Sequence, residues 1–245
     1  MFLSLLIVHC ISFLLYLQVR TVTFIFIKFL KAIFVLQVYL CHKRNLLPSE
    51  LPSNVTQKPG IQKVLPKSVI LDNNEEILVD TLLFCTGYNY YFPFLASECH
   101  VTVNKKRITP LYKHILHARF TTLAFIGIPN VICPFPLFDR QVQFVCAALD
   151  GRMALPSQAE MENNISDDYQ ERLERGLDQR HAHHLSNRQW AYNDDLAHLA
   201  KFKPLPPVTE RLYEYVHDQR TNTLQTYKQR RFKLTGENSF EEISI

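Results

Sequence analysis

Three short stretches of this 245-residue chain combine residue types and spacing that could do chemistry. The first is Val38-Tyr39-Leu40 running into Cys41-His42-Lys43-Arg44. An apolar strand ending in a basic tip is what the second strand of a dinucleotide-binding sheet offers a ribose 2′-phosphate; a cofactor without that phosphate meets a carboxylate instead. A solvated Lys-Arg loop pair is the competing reading. The second is Asp80-Thr81-Leu82-Leu83-Phe84-Cys85-Thr86-Gly87-Tyr88. Its uninterrupted apolar and β-branched run predicts a strand buried on both faces, as in a parallel sheet. Gly87 lets the backbone turn sharply at the end. Ligands of open α/β sheets lie beyond the carboxyl ends of strands, so Thr86, Gly87 and Tyr88 stand where a cofactor would bind, and a plain turn is the alternative. The third is Asp139, ahead of Val142, Val145, Cys146 and Leu149 and a stop at Gly151. Asp139 there either caps a helix or faces a ligand.

The remaining reactive side chains form no such pattern. His114 and His117 lie in strand-like surroundings without a Cys or carboxylate at ligand spacing, so no metal site is assigned. His181, His183 and His184 fall in a highly charged stretch and read as solvated. No nucleophile–base pair stands out. The six cysteines include no C-x-x-C pair and sit mostly in apolar or strand-like contexts, which reads as buried, reduced thiols.

The elements that must position these residues begin with a deficit. The chain has 6 glycines, never closer than 24 residues apart, where average usage would give about 17. No glycine-rich phosphate cradle is therefore present, since such loops need several glycines in one turn. The net charge of +4 is scattered, which argues against a nucleic-acid binder. Met1–Val19 carries no Asp, Glu, Lys or Arg, and as a helix it would span about 28 Å, enough to cross a bilayer core. A second origin competes: 26 of the first 40 residues are Phe, Leu, Ile, Val or Met, as a translated pyrimidine-rich intron end would give. Under that reading the genuine coding segment opens at Val38.

Further along, Val69–Leu71 and Ile77–Val79 around Asp72-Asn73-Asn74 predict a hairpin. Pro156 to about Ala200 predicts two helices, with Asn187 capping the second; Val208–Val216 predicts a third. Beyond Thr221 the chain is polar, with Phe232, Leu234 and Phe240 as docking points.

Asp80 through Leu95, DTLLFCTGYNYYFPFL, closely resembles the A-T-G-Y…F-P-F-L segment of flavin-containing monooxygenases, with Cys85 in place of the usual Ala. Val38–Arg44 is similar to the strand with a Ser-His-Arg-like tip in that family, and Pro52-Ser53-Asn54-Val55 to its linker. Leu123–Gly127 and Phe135–Gly151 resemble its strand and helix into the flavin domain, although the family often has Trp where Phe144 stands. Trp190–Ala197 resembles the insect-type, senecionine N-oxygenase-like members. The likeness covers Val38–Ile245.

The resemblance implies FAD and NADP as cofactors: NADPH reduces the flavin, dioxygen adds, and a soft amine nitrogen or thioether sulfur of a small substrate takes one oxygen atom. It implies that Lys43 and Arg44 meet the 2′-phosphate, that Thr86, Gly87 and Tyr88 link the two nucleotide sites, and that Asp139 and Gln141 face the flavin from a helix start. The expected fold is α/β: an incomplete two-dinucleotide-binding-domain flavoprotein with an added apolar N-terminal helix and a helical C-terminal third. Residues 1–37 are the apolar segment, 38–95 a remnant of the NADPH domain with its linker, and 96–245 the C-terminal part of the FAD domain. The family's glycine fingerprints match nothing here, so the chain is expected to be inactive alone. A non-catalytic, membrane-anchored binding remnant is the rival reading. The expected location is the cytosolic face of the endoplasmic reticulum membrane, with contact through residues 1–19, or the cytoplasm if that segment is an artefact.

Overall fold

The computed structural model describes residues 12–17, 37–43, 50–85 and 87–243. Arg44, Thr86 and most of the apolar N-terminal segment lie outside them. The chain divides into two compact units: Met1–Tyr88 with Glu214–Leu234 and Phe240–Ile245, and Asn89–Tyr213 with Thr235–Ser239.

The first unit is organised by a parallel sheet. Strands β1 (Ser12–Leu17), β2 (Gln37–Cys41) and β3 (Val55–Lys58) lie side by side, β2 in the middle. The chain then forms an antiparallel sheet of β4 (Ile61–Val64), β5 (Ser68–Leu71) and β6 (Glu76–Leu78). It returns as β7 (Thr81–Cys85) on the other side of β1, again parallel. The order β3-β2-β1-β7 is the 3-2-1-4 order of a dinucleotide-binding half-sheet, with its switch point between β1 and β7.

Two expectations change here. Ser12–Leu17 lies within the stretch expected to be a membrane helix, yet it is a central strand with a parallel neighbour on each side. Short apolar runs suit helix and strand equally by periodicity, and pairing partners far along the chain decide between them. Among the described residues, no helix is long and apolar enough to cross a membrane. The second change concerns β7, which is parallel as expected but only half-buried, with Phe84 66% exposed. Among the described residues it has a neighbour on one side only.

The predicted hairpin forms as β5 and β6, closed by Asn74 at φ 63°. Val69, Leu71 and Ile77 pack with Cys41 into one apolar cluster. Burial pushes the Cys41 thiol up to about 12, so it behaves as a core residue. The five described cysteines are all free thiols; Cys146 is exposed, against the expectation of burial.

The second unit holds two short hairpins, β8 (Thr102–Asn104) with β9 (Arg107–Thr109) and β10 (Leu111–Tyr112) with β11 (Leu116–His117). Helix α1 (Pro134–Leu149) starts with proline in its first turn and Cys133 as cap. A first-turn proline lacks an N–H that would be unpaired anyway. Asp139 therefore sits inside the helix, and the capping role suggested for it does not occur. Helix α2 (Gln158–Glu174) is capped by Ser157, which forms a reciprocal capping box with Glu160. Helix α3 (Gln189–Ala200) follows directly from a 3₁₀ turn over Ser186–Arg188, so Asn187 does not cap it. Tyr112, Ile115, Leu116, Phe144, Met161 and Leu196 close the main core between these helices and the hairpins.

Helix α4 (Val208–Asn222) runs six residues past its predicted end and carries the chain from the second unit into the first. There β12 (Arg231–Leu234) and β13 (Phe240–Ile243) form a hairpin. Phe232 and Phe240 meet edge-on at 5.8 Å, and both rings touch Tyr215.

Candidate functional site

All four strands of the parallel sheet end at the same edge. Tyr16 of β1 is level with Cys41 of β2 on one side and Phe84 of β7 on the other. At about 4.8 Å per strand, the tips of β2 and β7 are roughly 10 Å apart across β1. The pairing thus brings the basic tip and the glycine turn, 44 residues apart between Lys43 and Gly87, to one edge of the sheet. Gly87 has φ 80° and Tyr88 is 97% exposed. Glycine suits that turn because a Cβ at positive φ is strained.

Beyond β2 the Lys43 side chain is two-thirds exposed, with its Nζ 3.6 Å from Asp72. Gly60 makes that approach possible: a Cβ there would lie 2.4 Å from an Asp72 carboxylate oxygen and 2.8 Å from Lys43 Cγ. His42 Nε2 pairs with Gln57 Oε1 at 3.0 Å. An amide oxygen only accepts, so Nε2 carries the ring proton. His42 Nδ1 is buried without a hydrogen-bond partner. The Lys43 ammonium fits a phosphate at the end of β2. Residues 18–59 contain no glycine, so the sequence after β1 lacks the glycine-rich pattern of a pyrophosphate cradle.

Asp139 and Gln141 take different roles although they are two residues apart. The Asp139 carboxylate is exposed and accepts from Arg140 Nε at 3.1 Å and Gln143 Nε2 at 2.9 Å. Gln141 is fully buried. Its Oε1 accepts from the Gly127 N–H at 2.9 Å, and its Nε2 donates to Tyr192 Oη at 2.8 Å. Tyr192 in turn donates to the Lys113 carbonyl at 2.7 Å. Burial pushes the Tyr192 phenol well above its usual range. Both ends of the Gln141 amide are thus committed within the second unit, where it ties α1 to the Gly127 turn and α3.

Reading the charged stretch as solvated misplaces a second constellation. His183 is 4% exposed and Arg172 1% exposed. The Ile108 N–H donates to His183 Nε2 at 2.9 Å, so the ring proton of His183 sits on Nδ1. That Nδ1 lies 3.0 Å from His114 Nδ1, which accepts. His114 then carries its proton on Nε2, 3.6 Å from an Asp168 oxygen, and Arg172 Nη2, itself only a donor, stands 3.3 Å from that nitrogen without a hydrogen bond to it. Arg172 donates to Asp168 at 2.8 Å and to the His184 carbonyl at 2.6 Å. Burial is the main force lowering His114 to about 4 and His183 to about 2, with the neighbouring guanidinium groups adding to it. Burial pushes the Asp168 carboxyl up, but Arg172, His114 and Arg188 bring it below the usual carboxylate range overall. Both rings are neutral at pH 7: the mutual hydrogen bond requires it of His114, and the Ile108 N–H on Nε2 requires it of His183. The only signal for this cluster in the sequence is the set of histidines itself, since the charges around them pointed outward.

Comparison with known proteins places these features in context. A family model described as flavin-binding monooxygenase-like matches residues 29–212. Flavin-containing monooxygenase FMO GS-OX-like 2 of Arabidopsis thaliana is 38% identical over 148 residues, 60% of this chain and 32% of that protein. FMO GS-OX-like 7 of the same plant is 36% identical over 165 residues, 66% and 35%. The structure of S-allyl-L-cysteine S-oxygenase from Allium sativum superposes with a TM-score of 0.75 at 27% identity, covering 86% of this chain and 49% of that one. Tmm from Pelagibacter sp. strain HTCC7211 shares the fold, with a TM-score of 0.74 at 18% identity over 94% and 51%. The chain therefore spans about a third of the length of these curated relatives and about half of the solved chains.

Proposed function

The chain belongs to the flavin-binding monooxygenase-like family, and from that premise we propose that it is the nucleotide-facing C-terminal portion of an NADPH- and FAD-dependent monooxygenase. Its substrate class is a small molecule with a soft nucleophilic centre, a thioether sulfur or an amine nitrogen. The sulfur option draws support from the similarity to an S-oxygenase. The observation that carries the reading is the shared edge of the β3-β2-β1-β7 sheet, where Lys43 and the Gly87 turn flank the switch point.

When bound, the flavin would supply the redox chemistry; glycines never closer than 24 residues apart give neither cofactor's pyrophosphate a glycine-rich cradle in this chain. Toward NADPH, Lys43 and, by the family resemblance, Arg44 supply positive charge for the 2′-phosphate. Asp72 holds Lys43 near the strand tip in the meantime. Gly87 and Tyr88, with Thr86 by the family resemblance, supply the turn along which the two nucleotide sites would meet. Asp139 supports the helix surface, and Gln141 fixes the position of Gly127 behind it.

Two measurements test this. Adenosine 2′,5′-bisphosphate is expected to bind the chain more tightly than adenosine 5′-monophosphate, with Lys43→Gln removing the difference; equal binding of both nucleotides to the parent chain defeats the 2′-phosphate assignment. A purified, dialysed sample is expected to lack stoichiometric visible flavin absorbance. Stoichiometric flavin together with NADPH-dependent conversion of a thioether to its sulfoxide would overturn the incompleteness while upholding the chemistry.

A further inference from the structure

The second unit contains a cavity of about 690 Å³, within the size range of small-molecule sites. Its lining is crowded with charges, and nearly all of them are matched. Asp168 is taken by Arg172 and Arg188, Glu171 by Arg175 and Arg188, and Asp195 by Lys113 at 2.8 Å. Among the cations of the lining Arg107 is the exception, and among the carboxylates the exposed Asp167. Among the described residues the Arg107 side chain has no oxygen partner, and its guanidinium carbon lies 3.6 Å above the centre of the Tyr169 ring. The group is half-buried, and burial draws its pKa down, so its donors have lost part of their water without gaining acceptors. A planar guanidinium held against an aromatic face keeps its edge free for a bidentate acceptor. Ile165, Leu185 and Ala191 add apolar surface to the same lining.

We infer that this cavity binds a small amphipathic carboxylate, with the carboxylate paired to Arg107 and a short apolar tail against Ile165, Leu185 and Ala191. The charge balance selects a monoanion. One unmatched cation accommodates one negative charge, whereas a second would meet the Asp168 and Glu171 carboxylates and the exposed Asp167. The site is independent of the nucleotide edge and of the oxygenation chemistry proposed above.

Calorimetric titration of the full 245-residue chain with hexanoate tests it, using butyrate, hexanol and hexyl phosphate as comparison ligands. Hexanoate is expected to bind saturably and more tightly than butyrate, with hexanol and hexyl phosphate at least tenfold weaker. Arg107→Gln is expected to weaken hexanoate at least tenfold, the loss of a charge-assisted pair. Tyr169→Leu, which keeps the charge and removes the stacking face, is expected to weaken it several-fold. Both variants are checked for an unchanged melting temperature, and should Arg107→Gln not fold, the Tyr169→Leu and ligand-series arms still decide. Hexanoate and hexanol binding alike, hexyl phosphate binding tighter than hexanoate, or unchanged affinity in either folded variant would overturn the assignment.

Discussion

His114 and His183 meet nitrogen to nitrogen, Nδ1 to Nδ1 at 3.0 Å, across 69 residues of chain. One ring must donate and the other accept, so the contact holds only while the accepting ring is unprotonated. Arg172 and Asp168 stand beside it, and the Ile108 N–H fixes which ring donates. Four separate pieces of chain in the second unit are joined at this point.

Stability is expected to fall on mild acidification because of this pair. Folded His114 and His183 have pKa values of about 4 and about 2, below the unfolded 6.5. Between those limits the unfolded chain binds the extra protons, so the stabilisation is complete above about pH 6.5 and declines as pH drops toward 4. The slope is about 1.4 kcal/mol per pH unit for each histidine. Urea unfolding between pH 8 and pH 4.5 measures it, and a flat profile from pH 7 to pH 5 contradicts the neutral pair. His114→Asn, in a sample folded at pH 8, is expected to reduce the slope.

Gln141→Leu removes the acceptor of the Gly127 N–H and a donor to Tyr192. Leaving the half-buried Gly127 N–H unpaired is expected to cost about 1 kcal/mol, the low end of such penalties. Denaturant titration reads this directly. If Gln141 contributed only through contact with a bound ligand, the free chain would keep its stability.

Gly127 has φ 86°, and a Cβ there would sit 3.2 Å from the Phe138 ring. Gly127→Ala adds about 1–2 kcal/mol of backbone strain, and pressure on Phe138 on top of it. By contrast Gly151, at φ 77°, has nothing within 4 Å of such a Cβ. Gly151→Ala is therefore expected to carry the strain alone, and the difference between the two melting temperatures isolates the contact with Phe138.

Ser157→Ala opens the capping box of α2, whose Ser157 N–H reaches Glu160 at 2.8 Å. The expected loss is about 1 kcal/mol, seen as a melting temperature lowered by roughly 2–4 °C for a chain of this size. An unchanged melting temperature would mean that the first turn of α2 frays independently of global unfolding.

Much of the architecture was legible locally. Strand β2, the β5–β6 hairpin and the helical stretches follow from short-range periodicity and turn chemistry, which neighbouring residues carry among themselves. The basic tip at Lys43 and the turn at Gly87 were legible for the same reason: each is a strand followed by the residue types that end it. The scarcity of glycine also belongs to the sequence alone, since it excludes a phosphate cradle without reference to any fold. What tertiary structure decided are the matters that depend on partners far along the chain. Ser12–Leu17 is a strand because β2 and β7 flank it, and β7 is half-exposed because it has a neighbour on one side only among the described residues. Gln141 is buried because Gly127 and Tyr192 supply its partners. His183 leaves solvent because His114, 69 residues earlier, and Ile108 satisfy both of its nitrogens. A polar group's burial is governed by whether distant groups can replace its water, and that information appears only once the chain has folded.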